Sequence, residues 1–303
     1  MHNELDSAII ECLRIDPVDT KVSVSGYGKL SITRKNYSRH YFLKTSSETD
    51  MENTFEGTLP LWRKSQISEA DDRVAGEYLA LNSIHSVVPS LCPTALAYGR
   101  LKESLGSFLI TDYLDRSGNP GRDDESSGLS LGEKLAKLHD TPAPVPQDLD
   151  AAVYGFPVPT FCGPTAQPNS YHRSWKDFFI ENRLRFIRDA CVANHGPDQR
   201  LTDSIDKTVE TAASRLLDDD HLGGEAGIKP VLVHGDLWSG NHFSARIGGQ
   251  GGVEEVIYDP SACYAHSESV PCQSQSYNNK SASTFRPRLL SRLLKVRSHQ
   301  ERK

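Results

Sequence analysis

Val231-Leu-Val-His-Gly-Asp-Leu-Trp-Ser-Gly-Asn241, followed after a glycine-rich turn by Val256-Ile-Tyr-Asp-Pro260, is the part of this chain whose reading decides the fold. Each piece opens as a short apolar run, the length of a buried strand, and closes in polar residues. The first strand delivers His234-Gly235-Asp236, with Asn241 five residues beyond the aspartate, and the second delivers Asp259. One carboxylate free to face a hydroxyl, with two more oxygen donors suited to a hard cation, is the small set that phosphoryl transfer needs. In that chemistry Asp236 is the candidate base, and Asn241 and Asp259 are the candidate Mg²⁺ ligands.

The rest of the chain limits the alternatives. Its 303 residues, 37% hydrophobic and 24% charged, suit a soluble globular protein of one large domain or two lobes. No apolar run approaches the roughly 20 residues of a membrane helix. The start, Met1-His-Asn-Glu-Leu-Asp6, lacks the pattern of a signal peptide, so a cytoplasmic location is expected. Six scattered cysteines without a C-x-x-C pair point to reduced thiols rather than zinc clusters or disulfides. The net charge of −6 divides unevenly: residues 269–303 carry +7 and the remainder −13. An acidic body argues against nucleic acid as a partner, and the basic end reads as a disordered tail.

From the amino terminus, Leu5, Ala8, Ile9, Cys12 and Leu13 keep helical spacing. Lys21–Ser25 alternates as a strand does, Gly26-Tyr-Gly28 breaks it, and Leu30–Thr33 continues as a second strand. A polar turn at 35–39 precedes Tyr41-Phe-Leu-Lys44, a third strand ending in lysine. Residues 46–72 read as a long irregular loop, and a helix resumes near Asp72. Within that helix Glu77 is the candidate partner of Lys44, with Glu56 as the rival carboxylate. Leu96–Tyr98 and Ser107–Thr111 read as strands, the latter running into Asp112-Tyr113-Leu114, where a nucleotide base would meet backbone groups.

Ser117–Ser127 reads as a connector between lobes. Beyond it, Leu129–His139 is helical, with Ser130 as N-cap and Glu133 as its capping-box partner. Residues 142–146 and 155–168 are proline-rich loops. Trp175–Ala193 and Ile205–Leu217 are amphipathic helices. His139 reads as structural.

Together these segments resemble the fructosamine kinase (ketosamine-3-kinase) family of the protein-kinase-like superfamily, over roughly residues 20–268. The resemblance rests on Tyr41–Lys44, Gly76–Ile84, Leu131–His139, Tyr154–Gly163, Trp175–Arg185, His234–Asn241 and Asp259–Glu268. Its most specific part is Leu237-Trp-Ser-Gly240 between the aspartate and the asparagine. The resemblance implies an α+β, two-lobed fold, with an antiparallel sheet lobe over residues 1–114 and a mainly helical catalytic lobe over 115–268. It implies ATP and Mg²⁺ as cofactors, with Gly26 and Gly28 covering the phosphates and Lys44 and Glu77 positioning them. It implies phosphorylation of the 3-hydroxyl of ketosamines on glycated proteins or small amines, which leads to deglycation. On the substrate side, Trp238 would stack on the sugar or wedge its own loop. His266 is a second candidate there, or with Glu268 it fastens the metal loop to the lobe below.

The chain departs from the family pattern at Ala265, where glycine is expected, and after Glu268. Residues 269–283 are polar and aperiodic, where apolar helices should complete the lobe. An altered or truncated end, with reduced stability and activity, is therefore expected. At ~25 cal/mol per Å², a few hundred Å² of uncovered apolar surface costs several kcal/mol. Two other readings stay open: a kinase of aminoglycoside or choline-like compounds on the same fold, and a non-catalytic binding protein derived from a kinase.

Overall fold

The computed structural model describes residues 5–16, 19–35, 37–46, 69–116, 126–218, 221 and 228–269. Strands β1 (Lys21–Ser25), β2 (Lys29–Arg34), β3 (Tyr37–Ser46), β4 (Ala95–Arg100) and β5 (Ser107–Asp112) make an antiparallel sheet in the order β1-β2-β3-β5-β4. Alternation along each strand sorts its side chains between two faces. On one face, Leu30, Ile32, Tyr41, Leu43, Phe108 and Ile110 pack against Ala8 and Ile9 of helix α1 (Ser7–Cys12). The Asp6 carboxylate caps α1 by accepting the Ala8 N–H, and it also accepts the N–H of Glu103, tying the helix to the β4–β5 loop. On the other face Leu109 joins Val74, Leu81 and Ile84 of helix α2 (Glu69–Val87). Lys44 lies directly across from Leu109 in the β3–β5 register, so it shares the face that α2 covers.

The remainder is mainly helical, as an α+β, two-lobed chain requires. Helix α3 (Leu131–Asp140) begins with the capping box at Ser130 and Glu133 and buries Leu131, Leu135 and Leu138. Helices α4 (Trp175–Phe179) and α5 (Phe186–His195) are joined by a wide π-type turn at Ile180–Arg185. A second such turn, Val209–Ala213, joins α6 (Gln199–Thr208) to α7 (Ser214–Leu216). One apolar cluster runs through Leu109, Val74, Leu81, Leu138, Trp175, Phe178 and Val231–Val233. Helix α2 therefore belongs to the core of the helical part as much as to the sheet. No helix among the described residues is long and apolar enough to cross a membrane.

Strand β6 (Leu114–Asp115) straddles the boundary drawn at residue 114 and pairs with β10 (His242–Ile247). β10 in turn pairs with β11 (Glu254–Ile257), while β9 (Val231–Val233) pairs with β12 (Cys263–Ala265). Because one hairpin is nested within the other, the β9–β10 and β11–β12 connections lie side by side.

Several boundaries differ from the sequence reading. β3 begins at Tyr37, inside the turn read at 35–39, and α2 begins at Glu69 rather than near Asp72. The helices read at 175–193 and 205–217 are each interrupted by a π-type turn, which apolar spacing alone does not reveal. The proline-rich loop at 155–168 contains a hairpin, β7 (Thr160–Cys162) with β8 (Thr165–Gln167), too short to leave an alternating pattern. Residues 47–68 of the irregular segment, with Glu56, lie outside the described residues. So do 117–125 of the connector and 270–303 of the tail, with Cys272. The five described cysteines are free thiols.

Candidate active site

Lys44 and Glu77 meet because two periodicities agree. Along β3, Leu43 turns to α1 and Lys44 to α2. Along α2, Glu77 falls three residues after Val74 and four before Leu81, on the buried stripe. Lys44 Nζ donates to Glu77 Oε2 at 2.7 Å and to Asp259 Oδ1 at 3.1 Å. A residue of the sheet and one from the β11–β12 connection, 215 positions apart, are thereby held together.

The β9–β10 connection, residues 234–241, is fixed by its neighbour. His234 is buried; its Nε2 donates to the Tyr258 carbonyl at 2.9 Å, and its Nδ1 accepts the Asp236 N–H at 3.3 Å. Those two partners require the neutral ring with its proton on Nε2. Gly235, at φ 78°, passes so close to the Ser261 carbonyl that a Cβ there would collide with it. Asn241 is buried and its Nδ2 donates to the Asp236 carbonyl at 2.9 Å and to Asp236 Oδ2 at 3.3 Å. The Tyr258 N–H donates to the Asn241 carbonyl, and its hydroxyl donates to the Gly240 carbonyl. Asp236, Asn241 and Asp259 thus converge, as their order in the sequence predicts.

Charge in this cluster is unbalanced. Burial would lower the Lys44 ammonium, but the carboxylates of Glu77 and Asp259 outweigh it and hold the group above its usual pKa. Burial, aided by repulsion from Asp259, pushes the Asp236 carboxyl above the usual carboxylate range, against the nearby Cys162 thiol and the hydrogen bond from Asn241. A base with a raised pKa is a better proton acceptor near neutrality.

The donor chemistry fits a Mg²⁺ ion. With its amide nitrogen committed to Asp236, Asn241 has its side-chain oxygen to offer, and the half-exposed Asp259 has a carboxylate. Mg²⁺ is commonly held by one or two protein oxygens together with phosphates and water. Among the described residues no group of three or more His, Cys, Asp or Glu could hold a metal by itself.

The other predicted residues are placed as follows. Gly26 and Gly28 form a single tight turn between β1 and β2. Gly28, at φ 75°, lies against the Leu43 carbonyl where a Cβ would not fit, whereas Gly26 faces open space. Asp112 is engaged with Thr94: its N–H donates to the Thr94 carbonyl and its Oδ2 accepts the Thr94 N–H. The Tyr113 carbonyl accepts from Gly248, and Leu114 pairs with Ile247, so the segment read as a base-binding strand end is also a seam with β10. Trp238 is 47% exposed and its ring lies across Gly240, consistent with wedging its loop while leaving a face open. His266 sits against Trp175, ring centroids 6.2 Å apart, and its Nδ1 accepts the Glu268 N–H. That contact fastens the turn after β12 to α4. One residue with a clear part here, His234, was given no site role by the sequence, since that part depends on partners in a second loop.

Comparison with known proteins identifies the family. The family model described as fructosamine kinase matches residues 61–285. That range starts after β1–β3 and runs past Glu268, where the sequence resemblance was taken to end. The chloroplastic protein-ribulosamine 3-kinase of Oryza sativa subsp. japonica is 31% identical over 194 residues, 64% of this chain and 49% of that one. The probable ketoamine kinase YniA of Escherichia coli strain K12 is 34% identical over 158 residues, 52% of this chain and 45% of that one. The chain spans about half the length of these curated relatives. A crystal structure of a candidate fructosamine-3-kinase from Thermobifida fusca superposes with a TM-score of 0.55 at 17% identity, covering 88% of this chain and 76% of that one. A similar candidate from Haemophilus somnus gives 0.50 at 19% identity, covering 86% and 72%. Both share the two-lobed, kinase-like fold. With that family model matching most of the length and both solved structures sharing the fold, the chain belongs to the fructosamine kinase family.

Proposed function

We propose that this chain is an ATP-dependent phosphotransferase whose acceptor is the 3-hydroxyl of a ketosamine, on glycated protein or on a small amine. The observation that carries the reading is the junction of Lys44 with both Glu77 and Asp259, beside the Asp236–Asn241 pair. The names of the rice and Escherichia coli relatives supply the substrate class. Asp236 accepts the proton of the sugar hydroxyl as its oxygen bonds to the γ-phosphorus and the bond to ADP breaks. Lys44, aimed by Glu77, holds the nucleotide phosphates. Asn241 and Asp259 would hold Mg²⁺, which neutralises charge on the phosphates when bound. Positioning and charge stabilisation supply most of the rate, because the protein forms no covalent bond to the substrate. An unstable 3-phosphate that releases the sugar would make the reaction a deglycation.

The test is incubation of the full chain with Mg-ATP and a ribulosyl- or fructosyl-lysine peptide, followed by mass spectrometry for phosphoryl gain and later sugar loss. Asp236→Asn is expected to lower turnover at least about 100-fold. Wild-type turnover in that variant would remove Asp236 as the base. Phosphorylation of an aminoglycoside in place of the ketosamine would move the chain to the alternative substrate class. ATP binding without transfer to either would make it a binding protein.

A further inference from the structure

Asp259 stands in the left-handed region at φ 52°, where a residue other than glycine persists only when its surroundings fix it. The connection that carries it, between β11 and β12, is held from outside the candidate site. Ser261, two residues beyond Asp259, is buried, and its Oγ donates to Thr160 Oγ1 of β7 at 3.4 Å. Its carbonyl is the atom against which Gly235 of the neighbouring connection lies. At the far end Cys263, also buried, opens β12 and pairs with Val233, the residue before His234.

Buried Thr160 is the meeting point of a longer chain of polar groups, which a core tolerates only when their bonds are satisfied. Buried Asn169 donates from Nδ2 to Thr160 Oγ1 at 3.0 Å and to the Val158 carbonyl at 3.1 Å. Its Oδ1 accepts from Arg183 Nη2 at 2.9 Å, and the same nitrogen donates to Cys263 Sγ at 3.6 Å. Arg183 Nη1 donates to the Pro168 carbonyl at 2.7 Å and to the Asn182 carbonyl at 2.9 Å. The guanidinium rests over the Phe178 ring at 4.7 Å. A planar fork of fixed donors suits this use, where the single ammonium of a lysine would not. Arg183 belongs to the π-type turn after α4, as does Asn182, which exchanges two hydrogen bonds with Ser170. Turns of that kind recur near functional sites.

We infer that the chain Arg183–Asn169–Thr160 is a positioning device for Asp259, gripping its connection at Ser261 and at Cys263. These residues act through the backbone of 259–263, so they are positioning residues and not catalytic ones. The consequence for Mg²⁺ rests on the part given to Asp259 above. Mg²⁺ demands near-ideal geometry, and the partners that orient a ligand matter almost as much as the ligand itself.

Two measurements on the full chain test this. Thr160→Val keeps the shape of the side chain but removes the acceptor of both Asn169 and Ser261, whereas Thr160→Ser keeps the hydroxyl. The first measurement is hydrogen–deuterium exchange, read on peptides covering 258–263 and, as a control, β2. Thr160→Val is expected to raise exchange over 258–263 about tenfold, with β2 unchanged and Thr160→Ser close to the unaltered chain. The second is titration calorimetry of ATP with and without Mg²⁺. Here Thr160→Val is expected to lose about tenfold of the Mg²⁺-dependent affinity, while metal-free ATP binds as before. Unchanged exchange over 258–263, an equal rise in β2, or a serine variant no better than valine would each overturn the proposal. So would full Mg²⁺ dependence in Thr160→Val where Asp259→Asn loses it. If Mg²⁺ has no effect on the unaltered chain, or Asp259→Asn keeps that effect, the reading of Asp259 as a metal ligand fails. The exchange result then decides by itself whether Asp259 is held in place from Thr160.

Discussion

His234 is buried between two loops, and its neutrality decides whether both stay in place. Burial pushes its pKa down to about 4. In an unfolded chain a histidine titrates near 6.5. Below that value the unfolded state takes up a proton that the folded state refuses, so folding loses free energy as pH falls from about 6.5 to about 4. The stabilisation is fully present above pH 6.5. Its size follows from the shift, on the order of 3 kcal/mol. Urea denaturation at pH 7 and pH 4.5 should show most of that loss, and His234→Gln should show a smaller drop. His139, also pushed to about 4 by burial, adds to the slope in the same direction and remains in the variant. At this scale the meeting of Asp236, Asn241 and Asp259 was legible because few chemistries use Asp, Asn and Asp in that order. His234 was not, since its part depends on neighbours that only the folded chain supplies.

Helix α3 shows what local signals do and do not reveal. Ser130 and Glu133 announce its start, and the capping box forms with the Ser130 N–H donating to Glu133 at 2.9 Å. The same helix hides Lys134, which falls between Leu131 and Leu138 on the buried stripe and is fully shielded from solvent. A pattern of apolar and charged residues assigns such a lysine to the surface. Its ammonium instead donates to Glu254 at 2.6 Å, to the Ser90 carbonyl at 2.8 Å and to the Glu255 carbonyl at 2.9 Å. All three donors are used, and α3 is lashed to β11, the strand that leads into the Asp259 connection. Lys134→Met keeps the apolar stem but removes the counter-charge of Glu254, which keeps only its Ser127 donors, and the donor to two carbonyls. The expected cost is about 3–5 kcal/mol, the penalty for breaking one side of a buried ion pair. Chemical denaturation of the variant measures it, and a loss under about 1 kcal/mol would show the pair to be dispensable. β10 was missed although its sequence, His242-Phe-Ser-Ala-Arg-Ile247, alternates polar and apolar residues as a half-buried strand does.

For the molecule as a whole, the two-lobed layout was legible from the order of strands and helices, but the way the parts are joined was not. Helix α2 packs on the sheet through Leu109 and shares its core with α3 and α4, and its Gly76 touches the β7–β8 hairpin. A glycine in mid-helix ordinarily costs about 1 kcal/mol relative to alanine, so Gly76→Ala would stabilise α2 in isolation. Here the added methyl would stand 2.6 Å from the Pro159 carbonyl, a backbone atom that cannot swing aside. Overpacking of that kind costs about 1–3 kcal/mol, which offsets the gain in propensity and sets the net change near zero to 2 kcal/mol of destabilisation. The displacement has a larger consequence for the site. Helix and hairpin must separate, carrying Glu77, the residue next to Gly76, away from Lys44. Gly76→Ala is therefore expected to lower kcat/KM for the proposed phosphoryl transfer at least about tenfold while the thermal midpoint moves only a few degrees. A variant that loses its midpoint and its activity in proportion would mean that Gly76 serves packing alone. One that keeps full activity would mean that the two halves of the site do not depend on this contact.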